Sequence, residues 1–325
     1  MENSLDTIAI LIPVYNEEKS ILELINELEE TCILISKIHK INFRIIFVND
    51  GSTDSSVKKI IQLKNSALPI QLLSLSRNFG KESAISAGLN VGKDDSAILI
   101  MDADLQHPTG FIQKLIEAFT NENVDMVYAY KESRKTEGFL SRLMSKIFYS
   151  LINTNSRFHI PKDAGDFRIL SKKVVRSIID LPENERFMKG LYAWVGFNVV
   201  GVPYTPKKRA YGISFFSIWK LLFLAIDGIT SFSIAPLRMM SMFGLGIAIL
   251  STLYFLFIIF ERLFLNTSIP GLASIFVLVS FFGGVQLICL GIIGEYIGKI
   301  LLEAKKRPSY VVDKDVEISK GKNTS

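Results

Sequence analysis

The sequence predicts an α/β chain in which a doubly wound parallel sheet is followed by two membrane-spanning helices. Three observations carry this reading. Short β-rich apolar runs alternate with helical patterns through the first 130 residues, the pattern of a parallel sheet covered by helices. Polar residues collect at the ends of the predicted strands. Finally, Met239–Phe260 and Ile269–Gly294 are uncharged runs of 22 and 26 residues, each long enough to cross a bilayer core of roughly 30 Å.

Strands are expected at Ile8–Pro13, Phe43–Asn49, Gln71–Ser74, Ala97–Met101 and Met126–Ala129. The helices between them are expected at Glu18–Lys37, Thr53–Lys64, Lys81–Asn90 and Pro108–Thr120. The first strand runs into "PVYNEE", the second into "VNDGSTD", the third into "SLSRNFGKES" and the fourth into "DADLQHP". In an open parallel sheet these four endings share one edge, where such sheets place their ligands. Asn16 and Asp54 could each be an ordinary helix cap, and Asp50-Gly51 an ordinary turn. Four polar endings in succession point instead to a site.

Charge is unevenly distributed within the net +5 of the 325 residues: residues 1–130 carry −7, residues 131–220 carry +10 and the remainder +2. A basic middle third suits nucleic acid, anionic lipid or a phosphate-bearing substrate. The adjoining apolar runs favour the membrane, and no nucleic-acid partner is expected. The first residues, "MENSLDTIAILIPVYNEE", lack a basic stretch before the apolar one and do not read as a signal peptide. Cys32 and Cys289 are too far apart in sequence and setting to suggest a disulfide or metal framework.

Asp102 and Asp104 follow the fourth strand directly, with Gln106 two residues further on. One aspartate could cap the helix opening near Pro108 and the other could be a solvated turn residue. As a site, the trio supplies hard oxygen donors suited to Mg²⁺ or Mn²⁺, cations that commonly bridge to a substrate diphosphate. The chain has three histidines, none paired at helical spacing, which argues against a zinc hydrolase. "FGKES" lacks the first glycine and the Ser/Thr of a P-loop, and "GLG" at 244–246 lies inside an apolar span. Group transfer from a nucleotide donor is the chemistry that remains.

"PVYNE", "VNDGSTD", "RNFGKESAISAGL", "DADLQHP" and "DAGDFRILSK", in this order and followed by two spans, resemble the nucleotide-sugar glycosyltransferases of family 2, in the branch acting on polyprenyl phosphates. The resemblance runs from about Ile8 to Tyr310 and implies an A-type glycosyltransferase fold with a Rossmann-like sheet. It implies that Pro13, Tyr15, Glu17 and Asp50 hold the nucleoside, that Asp102 lies against the nucleotide–metal group, and that Asp104 and Gln106 complete the metal site. Lys81 is expected either at the diphosphate or as a solvated lysine in the first helical turn. Asp166 is expected near the reacting centre, as a general base or as a group orienting Arg168 or the sugar. Arg134, with Arg142 and Arg209, is expected to grip an acceptor phosphate, since the guanidinium fork can make two charge-assisted bonds to it. Lys172, Lys173, Lys207 and Lys208 read instead as a surface attracted to anionic lipid.

The implied reaction is the inverting, metal-dependent transfer of a single sugar, with UDP-glucose the expected donor. The expected acceptor is polyprenyl (undecaprenyl) phosphate at the cytosolic membrane face, for cell-surface glycan modification. UDP-GlcNAc, UDP-Gal or GDP-Man as donor, or a hydroxyl acceptor, are the alternatives, with a non-catalytic nucleotide-binding scaffold more remote. The expected organisation is a cytosolic catalytic domain over 1–210, interfacial amphipathic helices over 211–235, a transmembrane hairpin over 236–298 and a cytosolic tail over 299–325. Lys299, Lys305, Lys306 and Arg307 after the second span, with Arg238 and the basic segment before the first, predict both termini in the cytoplasm of a plasma-membrane protein. Gly294 and Gly298 have the spacing for close helix packing within or between chains, which leaves a homo-oligomer open.

Overall fold

A computed structural model describes residues 5–131, 161, 164–184, 186–205, 207, 235–264 and 271–321. The chain divides into two compact units. One comprises residues 1–149, 158–217 and 307–325; the other comprises residues 150–157 and 218–306.

In the first unit the order along the chain is β1 (Thr7–Val14), α1 (Ile21–His39), β2 (Asn42–Asn49), α2 (Ser56–Ile61) and β3 (Pro69–Leu75), then α3 (Lys81–Val91), β4 (Ala97–Ile100), α4 (Phe111–Asn121) and β5 (Met126–Lys131). There follow β6 (Ala164–Ser171), α5 (Lys172–Ile179), α6 (Met188–Trp194) and β7 (Val199–Tyr204). The second unit holds α7 (Ala235–Phe264) and α8 (Leu272–Ala304), and the chain returns to the first unit as β8 (Val312–Lys320).

Eight strands form one sheet in the order β7-β5-β6-β4-β1-β2-β3-β8. β3, β2, β1 and β4 are mutually parallel, as the alternation of apolar runs and helical patterns predicts. The expectation of an all-parallel sheet needs correction at both flanks. β6 inserts antiparallel between β4 and β5, and β8 pairs antiparallel with β3. Both strands come from outside the first 130 residues, so the pattern there could not reveal them.

The strands are apolar throughout because both faces are covered. On one face Ile8, Ile10, Ile12, Phe47 and Leu99 meet the buried stripe Leu24, Ile25 and Leu28 of α1 and the stripe Ile112, Leu115 and Ile116 of α4. On the other face α3 lies so close to β1 that a Cβ on Gly88 would stand 2.0 Å from Leu11 Cδ1. That approach fixes the start of α3, and with it Lys81, over the carboxyl ends of the strands.

The expected cytosolic tail is structured. α8 continues to Ala304, and the residues after it form β8, whose Ile318 packs against the core. Asp313, Lys314, Asp315 and Glu317 disguise this strand in sequence. Charged residues are also what a sheet edge carries to resist pairing with other chains.

In the second unit, α7 and α8 are each long and apolar enough to cross a membrane. Met242, Phe243, Leu250, Leu287 and Ile288 are all more than half exposed, which suits side chains that face lipid. The segment expected to form interfacial helices, from residue 211 to residue 234, lies outside the described residues.

Candidate active site

The carboxyl ends of β1, β2, β3 and β4 open onto one cavity of about 270 Å³. Pro13, Tyr15 and Glu17 reach it from β1, Asp50 from β2, Lys81 from the start of α3, and Asp102 and Asp104 from β4. The structure thus brings together all six residues expected on the nucleotide side, together with Asp104.

The loops are held by one another. Asn16 sits in the left-handed region at φ 56°, and its Oδ1 accepts from the backbone N–H of Thr53 at 2.8 Å. The Glu17 N–H donates to Ser56 Oγ at 2.8 Å, and the Ser55 N–H donates to a Glu18 carboxylate oxygen at 3.1 Å. Gly51 is required where it stands. Its φ is +70°, and a Cβ there would lie 2.5 Å from backbone atoms of Arg77 and Asn78.

Asp50 is buried, and its two carboxylate oxygens accept from the N–H groups of Phe79 and Gly80 at 2.7 and 2.9 Å. Burial pushes its pKa up, opposed by those two bonds. Asp50 therefore shapes the loop ahead of Lys81 as well as lining the cavity.

The "DADLQHP" loop combines a turn with an exposed carboxylate pair. Asp104 Oδ1 accepts from the Gln106 N–H at 3.1 Å, and Leu105 takes φ 61°. His107 is buried, stacks on Phe167 at a centroid distance of 4.5 Å, and accepts the Asp102 N–H on Nδ1 at 3.1 Å. Burial lowers its pKa, so it is a neutral pin for the loop, a role its position in sequence did not announce. Gln106 is not among the residues lining the cavity; its carbonyl accepts from the Lys207 N–H at 3.0 Å.

Among the described residues no three His, Cys, Asp or Glu side chains converge as a complete metal cage. What faces the cavity is a pair of carboxylates two residues apart. That donor set fits a hard divalent cation that takes its remaining ligands from water and substrate phosphates.

Lys81 ties this edge to Asp166. Its Nζ lies 2.6 Å from Asp102 Oδ1 and 2.7 Å from Asp166 Oδ2. Burial alone would raise the pKa of Asp166, but the charges of Lys81 and Lys189 outweigh it and hold the carboxyl at about 2. For Lys81, burial opposes the charge and the two aspartates more than restore it, so its pKa moves up.

Arg168 lies two residues along β6, opposite Tyr128 of β5. It is buried, with its guanidinium carbon 3.7 Å from the centroid of the Tyr192 ring. Beside Lys81, Glu82 turns inward and accepts the Met188 N–H at 3.0 Å, tying α3 to the start of α6. Burial, and then the charge of Asp166, push the Glu82 carboxyl up to about 7.

Glu82, Tyr192 and Lys189 escaped the sequence reading. Their signal was there, in "GKES" and "KGLYAW", but nothing local says that α6 folds back over β6. Arg134, Arg142 and Arg209 lie outside the described residues. Lys172, Lys173 and Lys207, expected as a lipid-facing surface, are paired with Asp94, Asp125 and Glu27; Lys208 is outside the described residues. The acidic first 130 residues supply those partners.

Residues 9–179, which contain every residue placed around the cavity together with Asp166 and Arg168, match the family described as Glycosyl transferase family 2. The chain belongs to glycosyl transferase family 2. The transferase is 42% identical over 305 residues to an uncharacterized glycosyltransferase of Synechocystis sp., covering 94% of each chain. It is 41% identical over 307 residues to the SfII prophage-derived bactoprenol glucosyl transferase of Shigella flexneri, covering 94% of this chain and 97% of that one. A prophage bactoprenol glucosyl transferase homolog of Escherichia coli is 39% identical over 308 residues, with 94% and 98% covered. These similarities extend through both apolar helices, so the family 2 unit and the two helices recur together in its relatives.

Proposed function

We propose that this glycosyltransferase moves one sugar from a nucleotide donor, UDP-glucose, to polyprenyl phosphate at the cytosolic face of the membrane. The observation that carries the reading is the single cavity at four strand ends, with Asp102 and Asp104 beside Lys81. Similarity over nearly the whole chain to proteins named bactoprenol glucosyl transferase supports the acceptor and the sugar.

Asp104 and Asp102, with Gln106, would hold Mg²⁺ or Mn²⁺. Such a cation neutralises charge developing on the departing diphosphate. Pro13, Tyr15, Glu17 and Asp50 form the nucleoside side of the cavity. Lys81 adds a positive charge at the place where a diphosphate would approach Asp102.

The acceptor is a phosphate monoester whose second pKa is about 6, so near neutrality it is already a nucleophilic dianion. Asp166, held at a pKa of about 2, is a poor proton acceptor. Its role is to orient Lys81 and the reacting groups. Attack on the face opposite the leaving diphosphate inverts the anomeric centre and yields a β-linked product. Arg134, Arg142 and Arg209 are the proposed grip on the acceptor phosphate.

The topology reading is supported by connectivity. The chain leaves the first unit by residue 217 and re-enters it at residue 307, and two crossings return a chain to the side it left. Both flanks of the hairpin, and with them the catalytic unit, are placed in the cytoplasm by the adjacent basic residues.

The test is to incubate membranes containing the protein with labelled UDP-glucose, UDP-GlcNAc, UDP-Gal or GDP-Man, polyprenyl phosphate and Mg²⁺ or Mn²⁺, and to count label in the organic phase. Metal-dependent labelled lipid with UDP-glucose is expected. No labelled lipid with any donor overturns the reading, and labelling that persists with dephosphorylated prenol moves the acceptor to a hydroxyl.

A further inference from the structure

Across β6 from the cavity at the strand ends lies a second cavity of about 310 Å³, within the size range of small-molecule sites. Its walls include Tyr128, Arg168, Lys189, Tyr192 and Phe197. Three buried polar atoms on and beside this wall have no hydrogen-bond partner among the described residues: Arg168 Nε, Tyr192 Oη and Asp166 Oδ1. Arg168 is 3% exposed and Tyr192 2%. Buried polar atoms are nearly always satisfied, so three together call for a ligand.

The chemistry of the trio selects the ligand. Arg168 Nε can only donate, the Asp166 carboxylate can only accept, and the Tyr192 hydroxyl does both. An anion would meet Asp166 and Glu82 alongside Arg168 and Lys189, whereas hydroxyl groups use donors and acceptors together. The rings of Tyr128, Tyr192 and Phe197 give the apolar surface that the C–H faces of a sugar require.

Asp166 and Arg168 lie on the same face of β6, about 7 Å apart along the strand. The oxygen of Asp166 that Lys81 does not hold therefore stands at the boundary between the two cavities.

We infer that this second cavity receives the hexosyl group of the donor, with Tyr192 and Arg168 reading its hydroxyls. The inference rests on the nucleotide-sugar reading above and adds Tyr192 and α6 as determinants of which sugar is used. Glu82 holds α6 in place by accepting the Met188 N–H, which makes it a positioning residue for the same pocket.

The full chain in detergent with polyprenyl phosphate allows the test. KM is measured for UDP-glucose and UDP-galactose, and the inhibition constant for UDP, in the wild type and in Tyr192→Phe. If the wild type transfers GlcNAc or mannose instead, that donor, an epimer of it and its nucleotide are used. The variant keeps the ring against Arg168 and removes only the hydroxyl. The expected result is a UDP constant within about twofold of wild type, a KM for the sugar nucleotide raised about tenfold, and a smaller preference between the epimers.

An active variant with wild-type KM and epimer preference overturns the inference and leaves the proposed function standing. If Tyr192→Phe does not fold, Ala193→Leu fills the cavity from α6. Retained UDP binding with lost sugar-nucleotide transfer then supports the inference, and undiminished transfer overturns it. A wild-type protein that transfers no sugar from any of the four donors overturns the proposed function and the inference with it.

Discussion

The Lys81 ammonium lies 2.6 Å from Asp102 and 2.7 Å from Asp166, joining a carboxylate at the end of β4 to one on β6 across an edge where parallel and antiparallel strands meet. Lys81→Met leaves both carboxylates without that cation, and Asp166 largely buried. The expected outcome is a fall in kcat of about a hundredfold or more, with the protein still folded by circular dichroism. Lys81→Arg, which restores the charge in another shape, should recover part of the loss.

Asp104→Asn keeps the size and the turn of the "DADLQHP" loop but removes a charged oxygen donor. Labelled-lipid formation should disappear while thermal stability stays near that of the wild type. Chelation with EDTA should likewise abolish wild-type activity, and added Mn²⁺ or Mg²⁺ should restore it. Near-normal activity in Asp104→Asn would remove Asp104 from metal binding.

Glu82 makes stability depend on pH with a definite sign. Its carboxyl rises from 4.5 to about 7 on folding, so the contribution of its protonated form is complete below about 4.5 and is lost as pH rises through 7. Glu82→Gln keeps an acceptor for the Met188 N–H without the charge. Its melting temperature relative to wild type should rise between pH 5 and pH 8.5, by the equivalent of roughly 1 to 3 kcal/mol. A constant difference across that range would show that Glu82 does not titrate there.

The pH–rate profile separates acceptor from base. With Asp166 held at about 2, no limb between pH 5 and 9 belongs to it. The rate should rise through about pH 6 as the acceptor phosphate loses its second proton. The limb should persist in Glu82→Gln; its disappearance there would assign it to Glu82 instead.

Ile318→Asp would set a carboxylate against the core beneath β8. A loss of about 2 kcal/mol or more is expected, since an unpaired charge is being placed on a largely buried face. Thermal unfolding in detergent checks it, and an unchanged melting temperature would show that β8 adds little to the sheet.

The parallel core was legible because its signal is local. Each of the four strands is a continuous apolar run ended by polar residues, and the predicted strands lie within a residue or two of β1, β2, β3 and β4. The nucleotide side of the site was legible for the same reason, since parallel order alone brings Pro13, Asp50, Lys81 and Asp102 to one edge. Tyr192, Glu82 and the pinning role of His107 were not, because each depends on which element folds over which. β8 was hidden for a third reason: an edge strand faces solvent on much of its surface, so its charges read as a tail.

The pairing of β8 with β3 also orders events during synthesis. Residues 312–320 are made after both long apolar helices, so β3 keeps an open edge until the helices have left the ribosome. Completion of the catalytic sheet is thereby tied to arrival at the membrane, and a chain stalled before its second helix exposes an unpaired strand to aggregation and proteolysis.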